Sequence, residues 1–96
     1  PAVAFIDERL LEDLVDLRLE QTHYFEARHR ALANCLGRLS LRDREMISAR
    51  YGSSMSAQEL STATGRSLEA VYKSLGRIRM ALAKCIDGAL KQESGV

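Results

Sequence analysis

The sequence predicts an all-α fold: a four-helix domain with a C-terminal helix-turn-helix, preceded by a long acidic helix. Three observations carry this. Good helix formers dominate, with Leu used 14 times, Ala 12 and Arg 11, while aromatics are 5% and the one Pro is residue 1. Apolar residues recur every three to four positions. Serines that can cap helices stand at the expected starts, and glycines stand near the expected stops. A β-sandwich or barrel would need many β-branched and aromatic residues and frequent turns, which this composition lacks.

Residues 5–38 read as one long helix or two nearly continuous ones. Phe5/Ile6, Leu10, Leu14 and Leu17 form an apolar stripe, with Asp7, Glu8, Glu12, Asp13 and Asp16 between them. The pattern blurs at Gln21–His23 and resumes through Leu32, Cys35/Leu36 and Leu39, with Gly37 a weak point. A second helix is expected from Ser40, whose cap is supported by Asp43 three residues on. Ile47 and Tyr51 continue its apolar side, and Gly52-Ser53-Ser54 stops it. The third element is short. Ser56 and Glu59 make a capping box, and Leu60 and Ala63 are expected to face inward. Gly65 then suits a left-handed helix terminus. Ser67 caps a final helix to about Lys91, and the last residues read as a loose tail. The corresponding domain reading is a linker helix at 1–30, a helix-turn-helix domain at 31–92 and a tail at 93–96.

Ninety-six residues at 10.7 kDa is one domain's worth of chain. Such a domain buries roughly 60–65% of its unfolded surface, leaving little room for a deep cleft. No apolar run approaches the roughly 18–20 residues of a membrane span, and no signal peptide opens the chain. A chain that begins with Pro is expected to be a piece of a longer protein. The net charge of +1 conceals an asymmetry. Residues 1–26 hold seven acids and two bases, a net of −5, while residues 66–84 hold five bases and one acid, a net of +4. That separation points to one basic working surface and a solvated acidic arm. The arm is expected to be dispensable for whatever the basic surface binds. Its Leu10/Leu14/Leu17 stripe needs a protein partner, either the rest of the domain or a second copy.

Catalytic chemistry has no residues to rest on. His23 and His29 are six apart and point to different helix faces, the serines cluster at caps and turns, and no phosphate-binding or metalloprotease motif occurs. Cys35 and Cys85 have no metal-ligand spacing and apolar neighbours, so they are expected to be buried, reduced thiols; a disulfide is the other reading. No cofactor or metal is expected.

Function gathers at residues 57–75, where a short capped helix, a Gly turn and a second capped helix make a helix-turn-helix. With Tyr72 at zero on a helical wheel, Leu68, Val71, Leu75, Ile78, Leu82, Cys85, Ile86 and Ala89 fall between roughly −140° and −40°. Lys73, Arg77 and Lys84 fall opposite, near roughly +100° to +140°, with Gly76 and Met80 beside them. Glu69 is the one acid at the N-terminal edge of that face. Cations on an exposed helix face can neutralise phosphates and donate to guanine in a major groove. Gly76 leaves space for a base or backbone to approach.

The stretch from Ala31 to Ile86 resembles region 4 of bacterial extracytoplasmic-function (ECF) sigma factors. The resemblance is carried by Cys35-Leu36, Leu39, Arg44, Arg50-Tyr51, Ser56, Glu59-Leu60, Gly65-Arg66-Ser67, Ala70-Val71, Leu75, Arg77 and Arg79. Ser61 departs from the family's small Ala. The resemblance implies a winged-helix-like DNA-binding fold without the wing, reading the promoter −35 element. It implies that Tyr72, Lys73, Gly76 and Arg77 face base edges, and that Arg66, Arg79 and the amides near Ser56 and Ser67 meet phosphates. It also implies docking on the β-flap of core RNA polymerase, with Leu32, Leu36, Ile47 and Tyr51 as contacts. A cytoplasmic location and an anti-sigma factor that shields the domain belong to the same expectation. Two other readings stay open. One is the helix-turn-helix output domain of a response-regulator or quorum-type transcription regulator, and the other is a purely structural helical adaptor.

Overall fold

The computed structural model describes residues 9–14 and 25–93. Every regular element among them is helical. Residues 9–14 form α1. Then follow α2 (Phe25–Arg38), α3 (Leu41–Tyr51), α4 (Ala57–Thr64) and α5 (Leu68–Glu93). The join between the first two helices lies outside the described residues, as do Leu17 and His23.

The caps follow local chemistry. Ser40 Oγ accepts the Asp43 N–H at 3.2 Å and starts α3. Both bonds of the capping box are made at α4: Ser56 Oγ accepts from the Glu59 N–H at 3.0 Å, and Glu59 Oε1 accepts from the Ser56 N–H at 2.8 Å. Gly65 closes α4 at φ 74°, a left-handed conformation that costs glycine nothing. Ser67 Oγ accepts from the Ala70 N–H at 3.1 Å and caps α5. The C-terminal carbonyls of α2 find a side-chain donor, since Arg44 Nη2 reaches Gly37 O at 3.2 Å and Leu39 O at 3.4 Å. Ser61, at the family's Ala position, uses its hydroxyl. It donates to Arg66 O at 2.6 Å and ties α4 to the turn.

α5 is the common partner, with α2, α3 and α4 all packed on it. One core joins Leu32 and Leu36 of α2, Met46, Ile47 and Tyr51 of α3, Leu60 of α4, and Val71, Leu75, Ile78, Leu82 and Ile86 of α5. Each fully buried aliphatic side chain contributes about 1.5–3 kcal/mol relative to exposure. Leu10, Leu11 and Leu14 of α1 sit in the same core. For Leu10 and Leu14 of the acidic arm's apolar stripe, the partner is therefore this domain itself. α2 runs through residue 30, from Phe25 to Arg38.

Three expectations about packing are corrected. Ala63 is exposed, and the inner side of α4 is Ala57 and Leu60, which stand three apart and share one face. Leu68 is 36% exposed, because it opens α5 before the helix has reached its neighbours. Cys35 and Cys85 are joined in a disulfide. They lie on the facing sides of α2 and α5 with Cα atoms 6.0 Å apart, within the span a disulfide bridges. Two thiols fifty residues apart cannot be seen as neighbours until those helices pack.

Candidate nucleic-acid interface

The interface is built from the α4 cap upward. The capping box and Gly65 set the start of α5, and the buried arc of α5 sets its rotation. Val71, Leu75, Ile78, Leu82 and Ile86 face the core, each at 1% exposure or less. The opposite face therefore projects outward. Tyr72 is 58% exposed and Met80 45%. Lys73, Arg77 and Lys84 are exposed along the same face. Gly76 lies among them, and a Cβ built there would meet nothing within 4 Å.

This face carries more anionic compensation than its own helix suggests. Lys73 Nζ pairs with Glu69 at 3.3 Å, one turn earlier. Arg77 pairs with Asp43, which comes from α3. Nη1 donates to Oδ2 at 2.9 Å and Nη2 to Oδ1 at 2.8 Å. The Arg77 guanidinium holds the Asp43 carboxyl below its ordinary range, and the carboxylate in turn raises Arg77. Asp43 was legible only as a helix-start residue. It stands 34 positions before Arg77, and no periodicity links them.

The two arginines expected at phosphates are anchored to the fold. Arg66 Nη2 donates to Ser74 Oγ at 2.7 Å and to Ala70 O at 3.4 Å, so its guanidinium lies against the first turns of α5. Arg79 Nη1 donates to Tyr51 Oη at 3.3 Å, and that hydroxyl donates to Asp13 of α1. Burial raises the Tyr51 hydroxyl above its usual range, and the Asp13 bond adds to it. Ser67 stays exposed at the α5 N-terminus.

The four residues expected to touch polymerase are buried in this structure. Leu32, Leu36, Ile47 and Tyr51 are all 5% exposed or less, because the stripes of α2 and α3 that carry them are covered by α5. Their side chains pack the core. Leu41 is the large apolar side chain left open at the head of α3.

The chain matches the family model for sigma-70, region 4, over residues 29–82. It belongs to that family. The matched span runs from α2 through most of α5 and contains the whole helix-turn-helix. Comparison with curated proteins and with solved structures returned no match. Region 4 is the DNA-binding domain with which sigma factors recognise the promoter −35 element, and it works with RNA polymerase. In this region 4 domain α5 is the second helix of the motif, and its exposed face is turned away from the core.

Proposed function

We propose that this region 4 domain is the −35-reading and polymerase-docking module of an ECF sigma factor, acting in the cytoplasm. The observation that carries the reading is the outward face of α5, where Tyr72, Lys73, Gly76 and Arg77 stand behind a capped turn and opposite a fully buried arc. In a major groove those four residues meet base edges. Arg66, Arg79 and the α5 N-terminus at Ser67 lie toward phosphates. ECF character rests on the landmarks Cys35-Leu36, Arg50-Tyr51, Gly65-Arg66-Ser67 and the Arg77/Arg79 pair. Docking on the β-flap falls to exposed residues of α2 and α3, with Leu41 as the apolar anchor. An anti-sigma factor would act by covering these surfaces.

Fluorescence anisotropy tests the DNA reading at two salt concentrations, using a duplex selected by this chain from a randomised library. Arg77→Ala should cost about 1–3 kcal/mol on that duplex and relax preference at one base pair. Arg79→Ala should weaken all duplexes about equally and lower the salt slope by about one. If Arg77→Ala binds both selected and random duplex like the parent, the base-edge assignment fails. Leu41→Asp should reduce capture of core polymerase without changing DNA affinity; unchanged capture sinks the docking assignment.

A further inference from the structure

The inference rests on the reading that Arg77 faces a base edge. We propose that Asp43 is a positioning residue for that recognition: from α3 it grips the end of the Arg77 guanidinium and leaves the Nε edge free to read a guanine.

The geometry makes the division of labour. A guanidinium has five N–H donors in a rigid plane. Asp43 takes one from each terminal nitrogen, at 2.9 and 2.8 Å, as a parallel fork. Three remain, and two of them, the Nε–H and the second Nη2 hydrogen, lie side by side on the neighbouring edge. Two parallel donors are what guanine O6 and N7 accept. The Arg77 side chain is 60% exposed, while Asp43 is 18% exposed and largely covered.

Asp43 is itself held by the fold. Its N–H is fixed by Ser40 Oγ, and α3 is locked on α5 by Met46, Ile47 and Tyr51. The carboxylate therefore stands in place before DNA arrives. A free arginine side chain would lose its rotamer freedom on binding; Arg77 has already lost it. The Lys73–Glu69 pair differs on each count. It is a single contact within one helix, and its partners are 77% and 79% exposed.

Charge adds a second consequence. The Arg77–Asp43 pair is neutral, so Arg77 contributes little to random phosphate attraction. Asp43 thus exchanges general affinity for base discrimination.

The test compares Asp43→Asn, Asp43→Ala and Arg77→Ala in the full chain. Each is measured by anisotropy on the selected duplex, on its single-base-pair variants and on random duplex. The Asp43 variants should bind random duplex more tightly, with a salt slope steeper by about one. They should also lose about tenfold discrimination at the same base pair where Arg77→Ala loses it, and nowhere else. A merely structural role would lower binding to all duplexes together, with no selective loss at that base pair. If the Asp43 variants keep full discrimination at the base pair that Arg77→Ala relaxes, the positioning role is overturned and the base-edge reading stands. If Arg77→Ala relaxes no base pair, the base-edge reading falls and takes the positioning role with it.

Discussion

Tyr51 and Asp13, 38 residues apart, share a hydrogen bond in which the buried tyrosine hydroxyl donates to the carboxylate of the N-terminal helix. The same oxygen accepts from Arg79 on the recognition helix. A residue of the acidic arm is thereby linked, through one side chain, to the basic face.

The arm is consequently part of the folding unit. Leu10 and Leu14 are fully buried, and Leu14→Ala should cost about 2–5 kcal/mol of stability in urea melts. DNA affinity measured well below the melting temperature should stay unchanged, since Leu14 is buried in the core and not on the exposed face of α5. A Leu14→Ala variant as stable as the parent would mean that α1 does not dock.

The Cys35–Cys85 bond closes a loop of fifty residues between α2 and α5. Loop entropy of that size makes the bond worth about 2–4 kcal/mol. Adding a phosphine reductant should lower the unfolding free energy by that amount and the denaturation midpoint with it. Cys35→Ser/Cys85→Ser should show the lower midpoint already and ignore the reductant. Disulfides are uncommon in cytoplasmic proteins, so the thiol count after alkylation in intact cells is a direct check of the compartment proposed above. Two alkylated thiols per chain would show the bond to be open there.

Gly76 separates folding from binding. Nothing in the protein lies within 4 Å of a Cβ at this position. Gly76→Ala should therefore stabilise α5 by about 0.8–1 kcal/mol, the ordinary gain of replacing a mid-helix glycine. If the helix backbone approaches a base or sugar here, the added methyl should weaken specific DNA binding severalfold. Higher stability with undiminished affinity would remove Gly76 from the interface.

Stability should be flat from about pH 5 to 9 and fall on both sides. Asp43 is held low by Arg77, and Glu59 is held low by the Ser56 backbone N–H. A depressed carboxylate contributes stability above its unfolded pKa of about 4, and that contribution is lost as pH falls below it. Tyr51 is raised by burial, so its contribution is present below about pH 10 and lost as pH climbs past it. Melting temperatures across this range check both limbs. Asp43→Asn should soften the acid limb, and Tyr51→Phe should soften the alkaline one.

Much of the candidate interface could be read from short-range pattern. Ser40, Ser56 and Ser67 cap the helices they were expected to cap, because a cap is a bond over two or three residues. Gly65 is left-handed where the turn needs it. The phase of α5, with Val71 inside and Tyr72, Lys73 and Arg77 outside, follows from the 3.6-residue period. The roles of Leu32, Leu36, Ile47 and Tyr51 could not be read that way. Periodicity tells that a stripe is apolar and is silent on whether this chain or another covers it.

The sequence by itself determined the caps of α3, α4 and α5 and which side of α5 turns outward, since each depends on residues within one or two turns. Only the tertiary structure decided the pairs that cross between helices. Asp43 meets Arg77, Tyr51 meets Asp13, and Cys35 meets Cys85 across separations of 34, 38 and 50 residues. A side chain on one helix carries no local trace of its partner on another. Their meeting depends on the angle and depth at which α1, α2 and α3 settle on α5, which the whole core sets at once.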